Sequence, residues 1–376
     1  MSRFVAFLLA LVAFGGYAAA NMILVPLPAV VSGYAGPGDF QAFTAYYALR
    51  GYSAAVAATG TQKAIRIRAA SGPNAAASTD VVILTTGSLD VASAETFSGT
   101  DATCTSSSIT TTTLTVGTCT ANLTVGDRLT GTGVTAGTYI KTTGCTTTPA
   151  STCTVSISQT VSATTITAHG ALFISTAYNQ AGTTPCATST ACDLVQATAD
   201  DTHQPILLTV CQGLIALPCI VGNVSTVALV SATTFTPNAA KIATYSWVGE
   251  RLSGTNLAKA SVENVDNYMG FDSAANSVRV NGGSSGIVTK ACTDAAWHSV
   301  AGVANTTSSI AYCDGSAGTT GTATNDSSAA VPHGFFVGSS PNITMYGEAG
   351  FADNVAASAT VVGNLHTNQS AFWGTP

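Results

Sequence analysis

Lys63-Ala64-Ile65-Arg66-Ile67-Arg68 sets apolar against charged side chains with a period of two over its last four residues. Successive strand side chains point to opposite faces, so the run predicts a half-buried strand with the arginines on the wet face. Upstream, Phe40 to Ala57 carries Phe43, Tyr46, Tyr47, Leu49 and Tyr52, which predicts a short helix or turn packed on a sheet. Downstream, strand-like runs recur: Leu172 to Ile174, Pro205 to Val210, Thr226 to Val230, Tyr245 to Val248, Ser277 to Val280, Ser299 to Val303, Ile310 to Tyr312 and Gly334 to Gly338. Many short strands parted by turn residues predict an all-β chain of two packed sheets. A jelly-roll arrangement would hide most of their edges.

Residues 104–168 differ in texture. Thr dominates, and Tyr139 is the one aromatic residue. The runs Leu114-Thr115-Val116, Arg128-Leu129-Thr130, Tyr139-Ile140-Lys141 and Thr154 to Ile157 alternate between Gly-rich turns, as a small β module would. Leu123 to Ile140 and Ser158 to Thr167 resemble a Thr/Gly-rich module that recurs in bacterial and phage surface proteins.

Only 8% of the 376 residues are charged while 46% are hydrophobic, which gives apolar surface for a core and argues against long charged helices. The formal net charge of -6, with 12 Lys+Arg, leaves no basic stripe to neutralise phosphates, so nucleic acid is excluded as a partner class. Arg3, the apolar run Phe4 to Phe14 and Gly15 to Ala20 read as a secretory signal peptide over residues 1–20, the alternative being an uncleaved amino-terminal anchor. Residues 21–39, with Pro26, Pro28 and Pro37, read as an extended lead-in. Ten cysteines in an exported chain predict disulfides, and their spacing suggests local pairs: Cys104 with Cys119, Cys145 with Cys153, Cys186 with Cys192, Cys211 with Cys219, and Cys292 with Cys313. No CxxC occurs, so metal binding through cysteine is not expected.

Ala48-Leu49-Arg50, Ala64 to Arg68, Thr86 to Asp90, Tyr178 to Gly182 and Asp193 to Gln196 occur in an order that resembles the catalytic domain of alpha-L-arabinofuranosidase B. Trp297 to Ala301 with Tyr312 to Gly315 resembles a laminin-G-like strand pair, and Glu348 to Phe351 through Asn368 to Gly374 resembles the closing strand and helix of such sandwiches. The resemblance implies a concanavalin A-like jelly-roll sandwich over residues 40–103 and 169–376, interrupted by 104–168 as an inserted module. It also locates where catalytic groups would stand. Retaining hydrolysis needs two carboxyl groups about 5 to 5.5 Å apart. The family's nucleophile falls on Ala274 and its acid/base on Ser340. The family's vicinal Cys-Cys and its trailing arabinose-binding domain are both missing from the sequence.

A shift of that placement by two residues brings Asp272 forward as a catalytic candidate, with Glu348 or Asp353 as its partner. The alternative roles are a turn cap for Asp272 and a strand-end hydrogen bond for Glu348. His298, after Trp297, reads as a packing residue of a strand. Sugar binding needs aromatic faces and planar polar groups, which nominates Tyr178, Asn179, Gln180, Tyr268 and Trp247. Trp247 and Tyr178 also read as core. Calcium stays open as a cofactor, since loop carbonyls supply such sites. The reading is an extracellular or surface glycan-binding or structural protein, with a polysaccharide or glycan, or neighbouring surface or virion subunits, as partners. Its alternatives are an alpha-L-arabinofuranosidase and a virion or cell-surface assembly component.

Overall fold

The computed structural model describes residues 33–141, 144–181, 192–196, 204–211, 217–222, 229–235, 242–253, 258–262, 267–272, 276–282, 286–293, 296–323, 331–335 and 343–376. The expected signal peptide, most of the lead-in, Cys186, Ala274 and Ser340 lie outside them. Val31–Pro376 forms one compact unit.

The strand Ile242–Ser253 is the spine of the fold. It runs antiparallel to His298–Asn305 on one side and to Ile343–Asp353 on the other. Pairing continues from Ile343–Asp353 to Ala45–Ala48 and Cys219–Gly222, then through Ile206–Leu208 to Leu172–Ala177 and on to Lys63–Ala69 and Ser78–Val82. From Leu172–Ala177 a second path leads through Leu194–Val195, Leu229–Phe235, Val331–Phe335 and Ala258–Val262 to Asn267–Asp272, Ser277–Gly282 and Ile287–Ala291. The end of this path folds over the spine. The Trp247 ring meets Phe271 edge-on at 4.7 Å, and a Cβ at Gly302 would sit 2.3 Å from Val280. Two antiparallel layers packed so closely make an all-β sandwich, and only glycine fits at position 302.

The opening strand behaves as its alternation requires: Ile65 and Ile67 are buried, while Arg66 faces water and Arg68 lies half-buried. The Phe40 to Ala57 region corrects the expectation of a helix or turn alone. It contains the strand Ala45–Ala48, closed on both faces, before a short helix α1 over Ala54–Thr59. Tyr46 and Phe43 pack over Gly350 of the neighbouring strand, where a side chain would collide with both rings. That contact makes the segment sheet and not helix.

A helix α2, Val91–Ser98, starts on the Asp90 carboxylate, which accepts from Ser93 N. A third helix, α3, covers the outer face of the spine over Ala359–Trp373. Val362, Leu365, Gln369 and Trp373 recur at helical spacing and form its buried stripe. Ser358 Oγ caps its first turn, and Gly374 ends it at φ +70°.

Residues 100–169 build a separate four-stranded sheet in the order Thr118–Cys119, Thr100–Thr115, Thr152–His169, Arg128–Gly131. Its own core contains Ile109, Leu114, Val155, Ile140 and Ile166. The chain leaves and re-enters the sandwich at one place, since Thr100 pairs with His169 and Gly170 N donates to Gly99 O at 3.3 Å. The join is held by the buried Asp127 carboxylate, which accepts from Ser71 Oγ at 2.5 Å and Ala171 N at 3.2 Å.

Disulfides join Cys104 to Cys119, Cys145 to Cys153, Cys211 to Cys219 and Cys292 to Cys313. Cys192 is disulfide-bonded too. No described helix is long and apolar enough to cross a membrane.

Candidate functional site

Glu348 lies mid-strand in Ile343–Asp353, facing α3, with its side chain closed to solvent. Arg50 grips it in a fork: Nε donates to Oε2 and Nη2 to Oε1 at 3.0 Å. Gln369 Nε2 adds a bond to Oε1 at 2.6 Å, and Trp373 Nε1 one to Oε2 at 2.9 Å. The Phe372 ring lies 4.9 Å from the guanidinium. A carboxylate with four donors and a side chain closed to solvent has the geometry of an anchor between α3 and the sheet.

The turn residues Tyr178, Asn179 and Gln180 were candidates for sugar contact. Asn179 is 2% exposed and Gln180 5%. Asn179 Oδ1 accepts from Tyr46 N at 2.9 Å, while its own N–H donates to Asp193. Gln180 Oε1 accepts from Tyr52 N at 3.0 Å, and its Nε2 donates to Ala48 O at 2.8 Å. Both amides thus complete the hydrogen bonding of the Ala45–Ala48 strand from inside. Tyr178 is half-buried, its hydroxyl donating to Asp80 at 2.6 Å with Lys63 over its ring. Of the three, Tyr178 alone keeps surface to offer.

Tyr268 and Asp272 stand on Asn267–Asp272, opposite Asn281 and Ser277 of the next strand. Trp247, fully enclosed between Phe271 and Tyr346, is core. His298 is buried as well. Its Nδ1 meets Asp314 Oδ2 at 2.6 Å and its Nε2 the Thr293 carbonyl at 2.8 Å. Burial works against the cation, but the Asp314 carboxylate, the Thr293 carbonyl and the charge of Glu250 outweigh it, so the pKa is raised. Cys313 Sγ of the adjoining disulfide lies 3.6 Å from Nδ1.

Glu250 was missed in the sequence. It sits in the spine strand at 5% exposure, and burial pushes its carboxyl up to about 7, opposed by His298. A carboxyl poised there suits proton donation. Hydrolysis with retention also requires a second carboxylate within about 5.5 Å. Among the described residues, His298 is the charged group that bears on Glu250. The local signal was a charged residue inside an apolar strand, Trp247-Val248-Gly249-Glu250.

No protein-family model matches the sequence, and no curated protein matches it. Similarity appears among solved structures. A GH54 α-L-arabinofuranosidase soaked with a cyclic sulfate inhibitor superposes with a TM-score of 0.51 at 9% identity, covering 89% of this chain and 64% of that one. An arabinofuranosidase complexed with arabinofuranosyl-alpha-1,2-xylobiose gives 0.51 at 10% identity over the same shares. The likeness is one of fold. The chain spans 64% of the length of these enzymes. Chemistry must therefore be argued from this chain's own groups.

Proposed function

We propose that the chain is an exported glycan-binding protein of a cell or particle surface, built on an arabinofuranosidase-like sandwich and without that scaffold's hydrolytic activity. The observation that carries the reading is Glu348, a buried carboxylate of the sandwich held by Arg50, Gln369 and Trp373 and so withdrawn from acid/base work. Ala274 and Ser340, where the sequence resemblance would put the nucleophile and the acid/base, supply no carboxyl group. An all-β sandwich with the fold of arabinofuranosidases is compatible with sugar binding, and disulfides suit a protein working outside the cell. The purified protein is expected to retain glycans on an array and to release no arabinose from an aryl arabinofuranoside. Array binding absent in folded protein would leave the assembly role, in which neighbouring copies or virion subunits are the partners.

A second reading, alpha-L-arabinofuranosidase, is favoured by one observation, the Glu250 carboxyl near 7. It requires Asp272 or another carboxylate to stand against it. Turnover lost in Glu250→Gln or Asp272→Asn, with folding intact, would replace the first reading by this one.

A further inference from the structure

The seam between the four-stranded sheet and the sandwich encloses a cavity of about 230 Å³. From the sandwich come Glu95 of α2 and Leu208, Thr209 and Val210; from the Thr-rich sheet come Arg128 to Gly131, Val134, Ala136 and His169. Arg128, with a side chain 9% exposed, forms the floor. Its Nη1 donates to Glu95 Oε1 and to Thr209 Oγ1, and its Nη2 to Glu95 Oε2 at 3.0 Å and Ser98 Oγ at 2.8 Å. Its buried Nε makes no hydrogen bond. Glu95 is 38% exposed, so the carboxylate that neutralises Arg128 also reaches into the opening.

His169 Nε2 and Thr130 Oγ1 lie 2.9 Å apart at the mouth. Burial and the nearby Arg128 charge hold His169 below its ordinary range, so it is neutral at pH 7. Guanidinium and carboxylate cancel, and the imidazole adds no charge. Such a cavity gives no net attraction to an ionic ligand. It presents acceptors on Glu95, a hydroxyl on Thr130 and an apolar wall from the partly exposed Val134 and Val210.

We infer that this seam cavity binds a single neutral sugar ring, an inference that rests on the glycan-binding reading and assigns it a site. Adjacent ring hydroxyls donate to the Glu95 carboxylate and pair with Thr130, while the C–H face of the ring lies on the apolar wall. The volume falls below the roughly 300–1,000 Å³ of pockets for drug-sized ligands, which limits the occupant to one ring or a chain end. Because the walls come from both sheets, occupancy also clamps the Thr-rich sheet to the sandwich.

The test is saturation-transfer NMR and calorimetry on the full chain with L-arabinose, D-xylose, D-galactose and N-acetylglucosamine, beside a glycan array. Two variants accompany it. Ala136→Trp, at an exposed rim position, fills the cavity without touching the ion pair, and Thr130→Val removes one hydroxyl. Binding of at least one sugar is expected, abolished by Ala136→Trp and weakened by Thr130→Val roughly 2- to 10-fold, the worth of one neutral hydrogen bond. Array binding that survives Ala136→Trp unchanged would overturn the seam site and leave the glycan-binding reading standing. No binding by the folded protein in any format would overturn both.

Discussion

Glu348→Gln is the perturbation that separates an anchor from a catalyst. The amide keeps the shape of the side chain but withdraws the charge that compensates Arg50, whose side chain has no exposure to water. Removing one member of a buried pair costs about 3 to 5 kcal/mol, because the other charge is left uncompensated. At roughly 1.3 °C per kcal/mol for a chain of this length, the melting midpoint falls by about 4 to 6 °C. The new amide N–H₂ also faces donors, since Gln369 Nε2 and Trp373 Nε1 both point at this carboxylate. Thermal unfolding followed by near-UV circular dichroism measures the loss, aided by Trp373 in the affected contact. A double-mutant cycle with Arg50→Met isolates the pair, and the double variant should recover part of the loss. A Glu348→Gln protein that melts within about 1 °C of wild type would refute the anchor role, the expected shift being several times larger.

Glu250, Asp127 and Asp193, with carboxyls pushed up mainly by burial to about 7, 7 and 6, and His298, also raised, all bind protons more readily folded than unfolded. Their stabilisation is complete below the ordinary carboxylate or imidazole value and is lost as pH rises through the folded value, so urea midpoints should be higher at pH 5 than at pH 8; the opposite order would contradict these assignments. Glu95 and Asp80 have lowered values, chiefly because hydrogen bonds and charges from Arg128 and Lys63 overcome burial, so stability should fall again as pH drops below about 4. Gly302→Ala puts a methyl group against Val280 and Met269 and should cost about 1 to 3 kcal/mol in chemical denaturation. Opening the Cys104–Cys119 bridge by a double Cys→Ser change should destabilise by about 2 to 4 kcal/mol, with hydrogen exchange rising first in residues 100–169.

What could be read from the chain followed the range of the interaction. Alternation in Ile65 to Arg68 is local, and the strand formed as it dictates. Four of the cysteine pairs, each closing a short loop, were legible for the same reason. The strand at Ala45–Ala48 was harder. Its aromatic residues fit a helix face equally well, and the deciding contact is with Gly350, some three hundred residues on. Asn179 and Gln180 looked like ligand groups because an amide that pairs with a sugar is chemically the same as one that pairs with Tyr46 N or Ala48 O. Glu348 carries no local sign of Arg50, 298 positions away. The seam cavity gathers residues from around positions 95, 130, 169 and 209, so no single stretch announces it.

The most direct test of the central claim is to incubate the purified, folded protein with an aryl arabinofuranoside and then assay the same preparation on a glycan array. The account predicts glycan retention with no arabinose released above the buffer rate. Steady release of arabinose, abolished by Glu250→Gln or Asp272→Asn in proteins that still melt cooperatively, would contradict it.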